Sequence, residues 1–291
     1  MPINVVELNR YPIKSMRGES LTKAEVSVDG ILGDRAFAIR DETTGHIRGA
    51  KKIPLLMQLS SELETTPSMA GVGPVRVHFP DGQQLSSQSA AIHEKLSEFL
   101  QRPVSLWPLV EKENQQHYLR GPATEADLEQ ELRQVFARTP SEPLPDLSVF
   151  PPEIFQFESP PGTYFDAFPI SLISRQSLKV MQMRFPELTF DLRRFRMNLI
   201  IDINNDQGRT PPLDFPEQAW CGRQLKVGST IIEITTECPR CVMVTHEQAD
   251  LAQETQIMRA LVQQNNGILG VYAKVIEAGQ VSLGDQVELL N

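Results

Sequence analysis

Between Pro140 and Pro161 the chain places seven prolines, at positions 140, 143, 145, 151, 152, 160 and 161. Each ring fixes φ and removes a backbone N–H, so this density disfavours helix and central strand alike. The stretch predicts a boundary, dividing the 291 residues into a first half at 1–139, a Pro-rich linker at 140–162 and a second half at 163–291. A chain this long can bury a large core, as one big domain or two modest ones.

The formal net charge of −9 argues against nucleic-acid binding, because phosphate contacts need a dominant basic face and basic residues here are scattered singly. Three cysteines, an odd number in a long chain, argue against a secreted disulfide scaffold and point to a reducing compartment. The opening Met-Pro-Ile-Asn-Val-Val-Glu-Leu-Asn-Arg lacks the unbroken apolar segment of a signal peptide, and no later run approaches a membrane span. A cytoplasmic protein without membrane partners is expected.

Periodicity predicts many short strands and a few helices. Strands are expected at 3–9, 24–28, 35–40, 75–79, 193–203, 220–227, 230–236 and around 271–275, the last from the alternation of Val271, Ala273 and Val275. Helices are expected over 90–101, from Thr124 with Asp127 three residues on to about 138, after Ser174, and over 253–264 before Asn265-Asn266-Gly267. In the 193–203 strand, alternation puts Arg196 and Asn198 on one face, a cation beside an amide. His78 falls on a polar strand face, and His93 and His117 lack companions at metal-ligand spacing.

Chemistry concentrates in Cys238-Pro-Arg-Cys241, set between two β-prone runs. A redox dithiol needs a helix N-terminus at the first cysteine, and Val-Met-Val-Thr starts a helix poorly. Structural zinc on Cys221, Cys238, Cys241 and His246 has the right ligand types without a second closely spaced pair. Two buried cysteines acting as small hydrophobes would leave Arg240 needing a buried partner. Alternatively, one thiolate, its pKa lowered by Arg240, is a soft ligand to a metal completed by a cofactor. Elsewhere Lys14 and Ser15 share a loop and suit a phosphate or the solvent equally, and Arg35 leads an apolar strand, paired to Asp34 or aimed at an anion.

Taken in order, Tyr11-Pro-Ile-Lys-Ser15, Gly33-Asp-Arg35, Arg194-Phe-Arg-Met-Asn198, Cys238-Pro-Arg-Cys241 and Ser282-Leu-Gly-Asp285 resemble MOSC proteins with an N-terminal MOSC β-barrel domain. In function the chain resembles the mitochondrial amidoxime-reducing component and its bacterial counterparts. The resemblance implies an α+β, β-barrel-rich fold with an N-terminal barrel half. It also implies a molybdenum–molybdopterin cofactor whose metal is ligated by Cys241. Cofactor contacts carry over to Lys14, Ser15, Arg35, Arg196, Asn198, Pro239, Arg240 and Tyr272. The chain departs from the family at Ala167 and Phe168, where relatives have hydroxyls, at Met197 in place of proline, and at Val244 to Gln248.

The activity so implied is reduction of N-hydroxylated or N-oxide small molecules, the cofactor carrying the hard chemistry. Some relatives carry a C-terminal ferredoxin domain; no cysteine follows Cys241 here, so a separate electron-donor protein is expected. Two alternatives stand beside this: a non-catalytic zinc-binding module, and a sulfur carrier using a Cys241 persulfide in cofactor sulfuration. His246 is either a proton donor in the substrate pocket or a surface residue.

Overall fold

The computed structural model describes residues 2–120, 125–203 and 214–290, with the backbone alone at 125–127. Its central feature is a curled eight-stranded sheet in the order Val287–Leu289, Gln224–Val227, Thr230–Pro239, Ile268–Glu277, Ile170–Ser174, Leu199–Ile203, Ile3–Arg10, Glu19–Ser20. The curl brings its ends together. Val5 N–H donates to Asp285 O at 2.9 Å and Gly284 N–H to Val5 O at 2.8 Å. The first strand of the chain thus belongs to a sheet otherwise built mainly from residues 170–289. Alternation inward buries Val5, Leu8, Leu172, Ile234, Val271 and Ala273 in one core.

Ile170–Ser174 and Leu199–Ile203 run parallel, which requires a crossover. The helix Arg175–Arg184 supplies it, capped as expected by Ser174, whose Oγ accepts from Ser177 N–H at 3.1 Å. Glu217, fully buried, accepts from the hydroxyls of Ser174 and Ser177 and ties this helix start to the turn Pro216–Trp220. A second core, including Ile13, Met16, Ile39, Leu56, Val77, Ile92 and Leu106, fills the first half and receives Met243 from the second. The strands Phe37–Asp41 and Val75–His78 and the helix Ile92–Leu100 build it as periodicity predicts. The helix Glu125–Val135 is present; Thr124 and the side chain of Asp127 lie outside the described residues.

Two expected strands differ. Residues 192–194 form a 3-10 turn, and the strand begins only at Leu199, because Arg196 adopts φ 51° and breaks the extended run. Val242–Thr245 is also a 3-10 turn, although its residues are β-prone: Thr245 Oγ1 donates to Val242 O at 2.7 Å and packing of Met243 and Val244 overrides propensity. The Pro-rich stretch is neither helix nor strand apart from the short turn Glu153–Gln156, but it packs: Phe150, Phe157, Glu158 and Ser159 are buried.

Candidate active site at the junction of two chambers

The strand Thr230–Pro239 ends where proline removes the next ladder donor, and Arg240 N–H turns to Gly267 O at 2.8 Å. Cys241 follows as the residue that opens the 3-10 turn. Two adjoining cavities meet at it. The smaller encloses about 610 Å³, open mouth included, and is polar, with Arg35, Ser171, Arg194, Arg196, Asn198 and Arg240 in its wall. The larger encloses about 890 Å³ and is walled mainly by apolar side chains, with Lys51 near Cys241. Asp166, Ala167, Pro239, Cys241 and Tyr272 line both. Tyr272 also packs with Phe150 of the larger chamber and Phe168 of the smaller, ring centres 6.3 and 5.6 Å away.

Three of the expected site residues, Ser15, Arg35 and Arg196, hold left-handed backbones at φ 68°, 49° and 51°. Each costs on the order of 1 kcal/mol for an L-residue with a Cβ, so the surrounding fold must enforce them. At Arg35 the enforcement is visible: its N–H donates to Tyr11 O at 2.8 Å while Tyr11 N–H donates to Asp34 Oδ1 at 2.7 Å. The guanidiniums of Arg35 and Arg196 then lie 4.8 and 4.4 Å from the centre of the Tyr11 ring. Arg35 also donates to Asp34; burial lowers its pKa, but Asp34, Tyr11 and Asp166 together raise it.

Arg196 is different. It is 9% exposed, and its Nη1 is buried without a hydrogen-bond partner. Burial pushes its pKa down to about 10. Asn198 beside it is fixed: Oδ1 accepts from Ser171 Oγ at 2.9 Å and Nδ2 donates to Asp34 Oδ2 at 3.1 Å. Arg196 and Asn198 therefore line one chamber as expected, but through a left-handed turn rather than strand alternation.

Lys14 and Ser15 stand behind the wall. Lys14, 2% exposed, donates from Nζ to Asp166 Oδ1 at 2.8 Å and to Tyr164 O at 3.2 Å. Ser15 Oγ accepts from Ala50 N–H at 2.9 Å, fixing the loop that carries Lys51. Arg240 is committed as well: Nε donates to Leu269 O at 2.8 Å, Nη1 to Phe195 O at 3.0 Å, and Nη2 to Met197 Sδ. Gly270, at φ 78°, permits this packing, since a Cβ there would come within 2.6 Å of Met197 Cε. Arg194, buried, braces the turn after Cys241 by donating to His246 O at 3.2 Å and Ala252 O at 2.8 Å.

The electrostatics of Cys241 differ from the sequence expectation. Burial pushes its thiol pKa up, and the largest opposing cation is Lys51 rather than Arg240. Lys51 in turn is opposed by burial, but Asp166 at 3.7 Å and Cys241 raise its pKa. Asp166, which faces the cavity, is held below the usual carboxylate range by Lys14 and Lys51. Lys51 and Asp166 escaped sequence reasoning, since neither stands in a motif and they meet Lys14 and Cys241 only through the fold. Cys238 is wholly buried, its pKa also raised by burial, with a hydrogen bond to Tyr272.

The four-ligand zinc arrangement does not form. Cys221 is exposed after the turn Pro216–Trp220, and His246 Nε2 donates to Ala50 O at 3.1 Å. Among the described residues, no three His, Cys, Asp or Glu side chains converge so as to hold a metal ion by themselves. His246 lines neither chamber, and burial lowers its pKa.

Residues 2–119 match the MOSC N-terminal beta barrel domain and residues 161–288 match the MOSC domain. The chain is a MOSC-domain protein with an N-terminal MOSC β-barrel. MOSC domains occur in molybdenum-cofactor-binding sulfurase and reductase-like proteins. Among solved structures, the YuaD protein from Bacillus subtilis superposes with a TM-score of 0.45 at 12% identity, over 99% of this chain and 96% of that one. YiiM from Escherichia coli and YiiM from Geobacillus stearothermophilus each give 0.31, at 20% and 14% identity, over 43% of this chain and 55% of theirs. No match is found among curated proteins. No helix among the described residues of this MOSC protein is long and apolar enough to cross a membrane.

The site residues suit the cofactor of that family. A pterin bearing a phosphate needs cations and fixed amides, and the smaller chamber offers the unpartnered Nη1 of Arg196 beside Asn198. A metal whose other ligands come from a dithiolene needs one thiolate from the protein, and Cys241 stands where the chambers meet.

Proposed function

We propose that this protein is a molybdenum–molybdopterin oxidoreductase that reduces N-hydroxylated or N-oxide small molecules, using electrons from a separate donor protein. The observation that carries this is the buried, unpartnered guanidinium nitrogen of Arg196 in a basic chamber that opens onto the Cys241 thiol. A buried cation without an acceptor is costly, and an anionic cofactor supplies the acceptor. When bound, the cofactor supplies a metal that accepts oxygen and exchanges electrons in pairs.

The chain's own residues position and tune. Cys241 would ligate the metal as thiolate, favoured in that form by Lys51 against the cost of burial. Arg196 and Arg35 would bind the anionic part, Asn198, its amide held by Ser171 and Asp34, would give the pterin a fixed wall, and Lys14, Ser15 and Arg240 hold the rest of the frame. In the net reaction the N–O bond breaks, two electrons and two protons are taken up, and the oxygen leaves as water. Lys51, its ammonium 3.7 Å from the Asp166 carboxylate and near Cys241, holds a proton at the junction.

The test is to purify the protein from a host able to make molybdenum cofactor, and to measure molybdenum, zinc and released pterin per chain. Near-stoichiometric molybdenum with pterin in the wild type, its loss in Cys241→Ser with the fold intact, and viologen-driven reduction of an aromatic amidoxime are expected. An active, metal-loaded Cys241→Ser protein would overturn the assignment.

A further inference from the structure

The two chambers differ in charge. Four arginines and one carboxylate, Asp166, line the smaller. In the larger, every cation faces an anion: Lys51 and Asp166 at 3.7 Å, Lys52 and Glu131 at 2.8 Å, Arg120 and Glu158 at 3.8 Å. Paired charges leave little net field for an ionic ligand, so removal of apolar surface from water dominates what binds there.

That apolar surface comes from segments absent from the smaller chamber. The helix Glu125–Val135 and the residue after it contribute Leu132, Val135 and Phe136, and the Pro-rich stretch contributes Phe150, Ile154 and Phe155. Phe155 is 43% exposed, a phenyl ring left partly in water beside a concave apolar wall. With Tyr272 at the inner end, four aromatic rings line this open cleft.

We infer that the larger chamber is the substrate vestibule, and that its substrate is a small, uncharged molecule with a flat aromatic body whose polar end reaches Cys241. This deepens the function proposed above and rests on Cys241 being the metal ligand. The Pro-rich stretch thereby becomes part of the specificity site.

Binding of the neutral dye N-phenyl-1-naphthylamine to the full-length protein tests it, with molybdenum and pterin measured on the same samples. One saturable site per chain is expected, weakened at least fivefold by Phe155→Asp and by Leu132→Asp and altered less than twofold by Arg196→Gln. Neutral 1-naphthol should displace the dye at least tenfold better than the 1-naphthyltrimethylammonium cation. If Leu132→Asp fails to fold, Phe155→Ser at the exposed position makes the same comparison. Dye binding indifferent to the Phe155 and Leu132 variants, or equal displacement by the cation, overturns the inference whatever the metal content. Variant-sensitive binding in a protein without molybdenum upholds the chamber's ligand class and overturns the cofactor assignment alone.

Discussion

The Lys14 ammonium lies 2.8 Å from the Asp166 carboxylate, joining residues 152 positions apart beneath the chamber wall. The two partners are unequal. Lys14 is 2% exposed and burial lowers its pKa, whereas the Asp166 side chain is 44% exposed because it faces the cavity. Asp166→Asn leaves a buried ammonium with little more than the Tyr164 carbonyl at 3.2 Å. The expected loss is about 1–3 kcal/mol, reduced from that of a fully buried pair by solvent in the cleft. Lys14→Met keeps the aliphatic stem and leaves Asp166 to Lys51, so it should cost less than half as much. Urea midpoints of the two variants check the order; equal losses would contradict it.

Arg196 and Arg240, both in the wall of the smaller chamber, should respond oppositely to removal of charge. Arg196→Met relieves a buried guanidinium with an unpartnered nitrogen. It should stabilise the cofactor-free protein by about 1–3 kcal/mol while lowering pterin content. Arg240→Met strands the carbonyls of Leu269 and Phe195 and should cost about 2–4 kcal/mol. Chemical denaturation of metal-free protein, with pterin released from protein made in a cofactor-competent host, reads both.

The three cysteines should alkylate in a fixed order when the metal is absent. Cys221 is exposed and reacts first with iodoacetamide; Cys241, reached from both chambers, follows; Cys238 is protected until unfolding. Because burial raises the Cys241 pKa against the pull of Lys51, its rate should be slow at pH 7 and climb through and above pH 9. Lys51→Met should move that rise to still higher pH. Peptide mapping across a pH series checks this, and an unmoved Cys241 profile in Lys51→Met would remove Lys51 from the account.

Glu217 and Asp166 should give opposite pH dependences. Burial raises the Glu217 pKa above 4.5 against the pull of the serine hydroxyls, so the folded state binds its proton more tightly. Its contribution to stability is full below pH 4.5 and is lost as pH rises through the folded value. Glu217→Gln should therefore gain on the wild type as pH rises above 4.5. Asp166, held below 3.8, contributes above that pH and loses its contribution as pH falls. Thermal midpoints of wild type, Glu217→Gln and Asp166→Asn between pH 3 and 8 separate the two.

Much of this site was legible in the sequence because its residues stand in short motifs. Cys241, Arg35, Arg196, Asn198, Pro239, Arg240 and Tyr272 all reach the smaller chamber. The alternation that put Arg196 beside Asn198 nevertheless described a backbone that does not exist there, since φ 51° at Arg196 cannot be read from an apolar pattern. Lys14 and Ser15 illustrate the converse: their types suited a phosphate, but the fold gives Lys14 to Asp166 and Ser15 to the Ala50 backbone. Lys51 looks like half of a solvated Lys-Lys pair. Only the loop anchored by Ser15 carries it to Cys241, and such long-range placement leaves no local trace.

The pairing of Ile3–Arg10 with Leu199–Ile203 has a consequence for biosynthesis. Among the described residues, Ile3–Arg10 is synthesised long before Leu199–Ile203 and meanwhile has only the two-residue strand Glu19–Ser20 beside it. At about 5–20 residues per second, that interval is roughly 10–40 s, during which Val5 and Leu8 have no sheet to cover them. A nascent-chain holdase should therefore raise the yield of folded protein. A circular permutant that begins in the Pro-rich stretch would make Leu199–Ile203 before Ile3–Arg10, so that Ile3–Arg10 would emerge with this neighbour already synthesised.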